Sequence, residues 1–341
     1  MKTLRSYFTG SLLFFGFALI CGYWLDGMRG VSIVAILSVL ETSLSLDNAV
    51  VNAKILENWD PWWRRAFLVF GLPIAVFGMR LIFPILIVSV TTWLGNIEVL
   101  RMAIDSPDAY SAALTAVHHE VAAFGGTFLM MVFLNFFIDI NKTHHWLRWI
   151  ERPLTRLWQI EAVEVALTIL LLLFSATFFE AVEKYEFIMA GIWGIITYIF
   201  SKWFSSLLWQ QGSKATEHIV KQWIGGFLYL EILDASFSFD GVIGAFALSN
   251  NLFVIALGLS VGAFFVRSMT IYLVDKGTLA NIRYLEHGAF WAIGALACIM
   301  LFGVKLHIPE VVTGFIGALL IALATWQSIS LNKKERLQPK V

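Results

Sequence analysis

Apolar residues occupy most of the chain in runs of about 20, and short polar or charged segments separate these runs. A helix that crosses the hydrocarbon core of a bilayer needs about 20 mainly apolar residues. The pattern therefore predicts an all-α, polytopic membrane protein with about ten transmembrane helices in a single transmembrane domain, residues 1–341. The predicted spans are residues 8–26, 31–53, 66–94, 121–140, 161–180, 187–209, 223–248, 252–275, 288–304 and 309–331.

Basic residues in the connections support this count and orient the chain. With the N-terminus in the cytoplasm, the predicted cytoplasmic segments hold eighteen Lys and Arg residues and the outer segments hold four. Cytoplasmic connections are enriched in these residues, so the alternation predicts that both termini are cytoplasmic. The basic and apolar N-terminal stretch lacks a convincing small-x-small cleavage site, which predicts an uncleaved first span.

Composition excludes several classes of protein. Hydrophobic residues make up 59% of the chain and charged residues 14%, whereas soluble domains carry about 25% charged residues. The formal net charge is zero, so the sequence provides no excess of basic residues for binding nucleic acid. The expected surroundings are the lipid bilayer. Cys21 and Cys298 lie in apolar runs and indicate neither a disulfide framework nor a thiolate metal site.

The same acidic pattern interrupts two of the predicted spans. Residues 40–51 read LETSLSLDNAVV, and residues 233–244 read LDASFSFDGVIG. The two copies align at an offset of 193, and their matched polar pairs are Glu41 and Asp234, Ser43 and Ser236, Ser45 and Ser238, and Asp47 and Asp240. Two further matches follow in the same order, Arg80 with Arg267 and Glu120 with Glu286. The chain is therefore expected to contain a repeat, with cores at residues 31–140 and 223–305.

The positions of the two copies predict their relative orientation. The first acidic copy lies on predicted span 2 and the second on span 7, an odd number of crossings apart. Helices separated by an odd number of crossings run in opposite directions through the membrane. This predicts an inverted-topology repeat, an arrangement typical of transporters that bind substrate near the middle of the bilayer.

The residue types of the repeated motif favour a cation site. Carboxylates inside a membrane are energetically costly and usually functional. Glu41 and Asp47 are six residues apart, about 9 Å along a helix, so one unbroken helix cannot wrap both around one ion. Two antiparallel copies, or a break in the helix that frees backbone carbonyls, would complete the site. The candidate metal ligands are Glu41, Ser45, Asp47, Asn48, Asp234, Ser238 and Asp240.

Oxygen ligands of this kind suit Mn²⁺, Ca²⁺ or Mg²⁺, and the absence of Cys and His from the motif argues against zinc or copper. No prosthetic group is expected. Arg80 and Arg267 are candidates for a gate or an ion pair, although snorkelling or a structural pair explains them equally well. Glu120 and Glu286 are candidate ligands of a second site. Adjacent histidines point apart on a helix, so the pairs at 118–119 and 144–145 are not assigned as ligands.

The segments ETSLSLDNAVV and DASFSFDGVIGAFALS resemble the repeated acidic motifs of the TerC family of integral membrane proteins. That family includes the Alx manganese exporter and tellurium-resistance proteins, and it is related to the LysE transporter superfamily. The similarity covers about residues 31–305, in an uncharacterised branch of the group. It implies efflux of Mn²⁺ or a related divalent cation across the bacterial inner membrane, with four functional acids, Glu41, Asp47, Asp234 and Asp240. Gly241 stands opposite Asn48 and departs from an exact repeat.

The preferred interpretation is a secondary transporter, not an enzyme, that exports Mn²⁺ or another divalent cation through a carboxylate site at the membrane midplane. The main alternative is a non-transporting membrane partner for metal delivery to exported proteins or for their assembly. An intramembrane aspartyl protease would use Asp47 and Asp240, but its usual G-x-G-D context is missing. An amino-acid exporter would need Arg80 and Arg267 to bind a carboxylate.

Overall fold

The protein is helical throughout the part of the chain that its computed structural model describes, which is residues 4–57, 59–139, 144–160, 162–210, 215–246, 248–306, 308 and 310–337. The α-helices are α1 (Leu4–Leu44), α2 (Leu46–Leu56), α3 (Pro61–Pro73), α4 (Phe83–Thr92), α5 (Asn96–Asp105), α6 (Pro107–Ala116), α7 (His118–Ile138), α8 (Arg148–Arg156), α9 (Val163–Ala176), α10 (Ala181–Gln210), α11 (Ala215–Ala245), α12 (Leu252–Asp275), α13 (Thr278–Asn281), α14 (Leu285–Leu306) and α15 (Glu310–Leu337). A π-helix (Ile74–Ile82) joins α3 to α4, and a short 3₁₀-helix (Leu157–Gln159) follows α8.

Seven helices in the described part of the chain are long and apolar enough to cross a membrane. They are Leu4–Leu44, Trp62–Thr92, His118–Ile138, Ala181–Phe204, Leu252–Asp275, Leu285–Gly303 and Val312–Lys333. The chain is therefore a polytopic, all-α membrane protein, as its apolar pattern predicts. The number is lower than the predicted ten: spans 1 and 2 merge in α1, α9 has only 14 residues, and α11 carries four acidic residues.

The first of these helices contains a reversal of the chain. Asp26 (φ −149°, ψ 29°) and Gly27 (φ +57°, ψ −145°) are not helical, and the positive φ of Gly27 is one that residues with a Cβ rarely adopt. Close to this point, a Cβ on Gly30 would lie 2.2 Å from the carbonyl oxygen of Gly22. Glycine therefore permits the two halves of α1 to approach closely beside the turn.

Contacts with α12 show that the two halves of α1 run in opposite directions. In the first half, the hydroxyls of Ser11 and Ser268 lie 2.7 Å apart, and the ring of Phe14 stacks on Phe264, so this half is antiparallel to α12. In the second half, the Ser38 hydroxyl donates to the Gly258 carbonyl at 3.2 Å, and Glu41 packs against Gly262, so this half is parallel to α12. α1 therefore forms a helical hairpin on α12.

α7 lies in the most densely packed part of the bundle, and most of its residues are buried. It packs antiparallel to α14: the rings of Phe136 and Phe290 stack with centroids 3.6 Å apart, and a Cβ on Gly294 would touch the ring of Phe133. The first residues of α7 and of α14 therefore lie at opposite ends of this helix pair.

The helical hairpin predicts a specific cross-link. In a background with Cys21 and Cys298 replaced by serine, we expect Ser11→Cys/Ser268→Cys to form a disulfide on mild oxidation, because the native hydroxyls are 2.7 Å apart. Mass spectrometry of the oxidised protein measures the cross-linked peptide. The pair Thr9→Cys/Ser268→Cys is the control, since Thr9 is exposed. Equal cross-linking of both pairs, or none of either, would contradict the described packing of α1 on α12.

Candidate functional site

The first acidic motif lies where α1 ends and α2 begins. Ser45, at φ −100° and ψ 19°, separates the two helices. The backbone hydrogen bonds continue across it, from Ser45 N to Glu41 O at 3.0 Å and from Ala49 N to Ser45 O at 3.1 Å. Asp47 lies in the first turn of α2, where the helix dipole favours a negative charge. The break is thus one residue long, and the second copy of the motif lies inside the continuous helix α11.

The two copies of the acidic motif face each other in antiparallel register. The Asn48 side-chain amide donates to Asp234 Oδ1 at 2.5 Å. Seven residues earlier on the first copy, a Cβ on Gly241 would lie 3.0 Å from Glu41 Oε2. The contact partner moves from residue 234 to residue 241 as the first copy is followed back from residue 48 to residue 41. The stretch 41–48 therefore runs antiparallel to 234–241. The fold therefore brings the two distant motifs into direct contact.

Arg80 neutralises the first acid of the motif. Its Nη2 lies 2.5 Å from Glu41 Oε1, and the side chains are only 3% and 4% exposed. Arg80 belongs to the π-helix (Ile74–Ile82), and its Nη1 donates to the backbone oxygen of Ala75. Ser45 lies close to the same Glu41 carboxylate. Stretches of π-helix inside α-helices often occur at functional sites, and here the nine-residue π-helix carries the arginine that pairs with the motif.

Arg267 neutralises acids of the second copy. Its Nη2 lies 3.3 Å from Glu231 Oε1 and 3.9 Å from Asp234 Oδ2, and it donates to the Gly71 carbonyl at 3.3 Å. The guanidinium also lies over the ring of Phe67, 3.8 Å from its centroid. A Cβ on Gly71 would lie 2.7 Å from Glu231 Oε1, so the close approach of backbone and ion pair requires glycine here.

Several buried polar atoms around these ion pairs have no hydrogen-bond partner among the described residues. They are Asn48 Oδ1, both amide atoms of Asn52, Arg80 Nε, Glu231 Oε2, Ser238 Oγ and Arg267 Nη1. Asn52 is completely buried, and the other five residues are at most 5% exposed. Buried polar groups in folded proteins nearly always have a partner. These atoms therefore indicate that water or a ligand occupies this part of the protein interior, and the oxygens among them are suited to a cation.

The remaining predicted ligands are distributed as follows. Asp47 is buried, and its Oδ1 accepts the backbone N–H of Asn48 at 3.0 Å. Ser238 is buried on α11, one turn after Asp234. The side chain of Asp240 lies outside the described residues, so its prediction as a ligand is not tested. The structure thus joins Glu41, Ser45, Asn48 and Asp234 to the two arginines.

Two side chains at this site were not predicted from the sequence. Glu231 precedes Asp234 by three residues, and Asn52 follows Asn48 by four. Residues three or four apart lie on the same face of a helix, so this spacing was an available signal. Neither residue has an acid or an amide as its counterpart in the other copy: Ser38 is opposite Glu231, and Ala245 is opposite Asn52. A search for matched pairs therefore missed both.

Glu120 and Glu286 do not form one second site. They begin α7 and α14, which pack antiparallel, so they lie about 25 Å apart along the helix axis. Glu286 pairs with Lys54 at 2.7 Å. Glu120 instead lies near His119 and Glu186. The two carboxylates therefore lie at opposite ends of the α7–α14 helix pair.

The fold and the site together define a polytopic, all-helical membrane protein with paired charges buried among its helices. Residues 46–335 match the family described as Protein of unknown function (DUF475), and the chain belongs to this family. Glu41 and Ser45 precede the matched residues, and the other site residues lie within them. No curated protein and no solved structure matches the chain.

The Arg80–Glu41 pair predicts strong coupling between two substitutions. Arg80→Gln leaves a buried carboxylate without its counter-charge, and we expect the free energy of unfolding to fall by about 3–5 kcal/mol. Arg80→Gln/Glu41→Gln removes both charges, and we expect it to recover at least half of this loss. Denaturant unfolding of these two variants and of Glu41→Gln, each purified in mixed micelles, measures the three losses. A double variant whose loss equals the sum of the two single losses would contradict the pairing.

The packing of Glu41 predicts an unusual effect of a small substitution. Alanine normally stabilises a helix by about 1 kcal/mol relative to glycine. A Cβ on Gly262, however, would lie 2.2 Å from Glu41 Cγ, so we expect Gly262→Ala to lower the thermal stability in detergent. Gly10→Ala is the matched control, because nothing lies within 4 Å of its added Cβ. If Gly262→Ala were as stable as Gly10→Ala, Glu41 would not pack against α12 as described.

Proposed function

We propose that this protein is a secondary transporter of the TerC type that exports a divalent cation, with Mn²⁺ as the principal candidate, across the bacterial inner membrane. The observation that carries the proposal is the contact between two antiparallel acidic motifs, with unpartnered oxygen atoms buried beside two arginines. Acidic groups among membrane-spanning helices usually mark ion or substrate pathways.

The chemistry of the buried groups favours a hard divalent cation. At this site the described buried acids are Glu41, Asp47, Glu231 and Asp234, and the described buried arginines are Arg80 and Arg267. If all six are ionised, two negative charges remain uncompensated, which matches the charge of one divalent ion. Carboxylate, amide and hydroxyl oxygens are ligands for Mn²⁺, Ca²⁺ and Mg²⁺. The ligand set therefore supports this class of ion and leaves the choice within the class to experiment.

An inverted repeat accounts for the antiparallel contacts. At the offset of 193, Glu41 corresponds to Asp234, and Asn48 corresponds to Gly241. The contact between Glu41 and Gly241 is then the counterpart of the contact between Asp234 and Asn48. Such paired contacts are expected from a pseudo-two-fold axis in the membrane plane, the arrangement of many transporters with a midplane site.

The arginine contacts support the same symmetry. Arg80 pairs with Glu41, and Arg267 approaches Asp234, the residue that corresponds to Glu41. The hairpin within α1 and the antiparallel packing of α7 and α14 agree with ten crossings, counted with α9 and α11 as spans. With ten crossings, the distribution of Lys and Arg assigns the N- and C-termini to the cytoplasm.

The ion pairs suggest how cation binding and conformational change are coupled. Without a cation, each arginine compensates a buried carboxylate and keeps the helices of the two copies together. An arriving cation competes for these carboxylates, and its charge displaces the guanidinium groups. The π-helix that carries Arg80 provides a segment whose hydrogen bonding differs from that of its neighbours. Release of Arg80 and Arg267 would then favour the alternative, outward-open arrangement.

A flux assay tests the proposed function. We expect purified protein in liposomes to carry Mn²⁺, and Asp234→Asn and Asp47→Asn each to lower the initial rate at least tenfold, because each removes a buried charge that the cation needs. Asp105→Asn is the matched control, an exposed acid on α5 that we expect to leave the rate unchanged. Ca²⁺ and Mg²⁺ flux in the same preparations measures selectivity.

The possible outcomes separate the competing hypotheses. The absence of flux of any of the three ions through correctly folded wild-type protein would refute the transporter and favour a non-transporting partner in metal delivery. Flux that is undiminished in Asp234→Asn and Asp47→Asn would refute the assigned site. Mn²⁺ flux that depends on both acids and not on Asp105 would support the transporter and its site.

A further inference from the structure

A second cluster of ligand-type side chains lies outside the paired acidic motifs. It consists of His119 and Glu120 at the start of α7 and Glu186 near the start of α10. One imidazole nitrogen and one oxygen from each carboxylate all lie within 4.8 Å of one another. His119 Nε2 lies 3.3 Å from Glu186 Oε2. We propose that these three residues bind a first-row divalent transition-metal ion at this end of the helix bundle.

The donor atoms of this cluster suit such an ion better than the donor atoms of the acidic motifs do. Imidazole nitrogen together with carboxylate oxygen is a ligand set for zinc, manganese and iron, whereas the acidic motifs offer oxygen atoms alone. Ligand bonds of about 2.0–2.2 Å place donor atoms roughly 3–4 Å apart around a metal. The observed separations therefore need only small side-chain rotations to close on an ion.

The charges at the cluster also favour a cation. The two carboxylates, Glu120 and Glu186, lie close together and repel each other when both are ionised. A bound divalent ion would replace the repulsion between the two carboxylates with attraction of both. The imidazole ring is oriented by the ring of Phe179, whose centroid lies 6.1 Å away. His119 thus presents its Nε2 towards Glu186 from a supported position.

Helix packing holds the ligands in register. His119 contacts Glu186, and the side-chain oxygen of Asn135 accepts a hydrogen bond from Lys202 at 2.7 Å. In both pairs the two residues are 67 positions apart in the sequence. The same offset of 67 joins Thr127 to Gly194, where an added Cβ would lie 2.3 Å from the Thr127 hydroxyl oxygen. Contacts at a constant offset mean that α7 and α10 run parallel over their shared length. The pairing of His119 with Glu186 therefore follows from rigid helix packing.

The cluster lies near the acidic motifs but is separate from them. A Cβ on Gly125 would lie 3.5 Å from the backbone oxygen of Ser236, so α7 touches the second motif at this level. His119 is six residues before Gly125, about 9 Å further along the helix. The metal site would thus stand at one end of α7, beyond the acidic motifs. Its occupation does not depend on the proposed transport.

Mn²⁺ binding to the purified, tag-free protein tests this site. We expect pulsed electron paramagnetic resonance to detect ¹⁴N coupling from one imidazole ligand, a signal that the all-oxygen central motifs cannot produce. His119→Gln should abolish this coupling, and Glu186→Gln should weaken Mn²⁺ binding at the nitrogen-bearing site at least tenfold. His118→Gln, on the same helix turn as His119, and Glu180→Gln, an exposed acid six residues before Glu186, are the controls, and we expect both to retain the signal.

Each outcome decides the proposal independently of transport. No ¹⁴N coupling in the wild type, or coupling that persists in His119→Gln, would overturn the assignment. Loss of the signal in His118→Gln with retention in His119→Gln would assign the ion to another histidine and would also overturn it. Size-exclusion profiles and circular dichroism identify variants that fail to fold. Asp234→Asn, which affects the central site, should leave the ¹⁴N signal intact whether or not the protein transports Mn²⁺.

Discussion

The need to compensate charges inside an apolar helix bundle determines how this protein is arranged. Buried carboxylates and guanidinium groups lose the hydration of water, and the loss is tolerated only when opposite charges meet with good geometry. Arg80 meets Glu41, and Arg267 meets Glu231 and Asp234. Because the partners of each pair come from different helices, charge compensation also specifies which helices are neighbours.

Small residues permit the close packing that this compensation needs. Gly262 leaves room for the side chain of Glu41, and Gly71 brings its carbonyl to Arg267. Between membrane-spanning helices, glycine at an interface allows backbones to approach and polar side chains to reach across. The result is a polar interior with acceptor atoms such as Asn48 Oδ1 that the described residues leave unpartnered, which is the physical basis of the proposed cation site.

α7 connects the two regions at which we propose that metal ions bind. It touches the second acidic motif through Gly125, packs in constant register on α10, and carries His119 and Glu120 at its first turn. The two regions differ in chemistry: the motifs provide only oxygen ligands, and the end of α7 adds an imidazole. A protein with both would distinguish ions by ligand type as well as by position along the path.

The sequence alone determined the all-helical, polytopic class, the position of most buried acids and the presence of two arginines within spans, because apolar run length and isolated charges are local properties. It also indicated that the motifs at Glu41 and Asp234 are related. It did not predict that Glu231 and Asn52 join the site, that Glu120 and Glu286 lie at opposite ends, or that Glu186 of α10 lies beside His119 and Glu120. Helical periodicity assigns a residue to a face of its own helix, but its partner depends on the register between helices. Only the packing of the whole bundle decides that register.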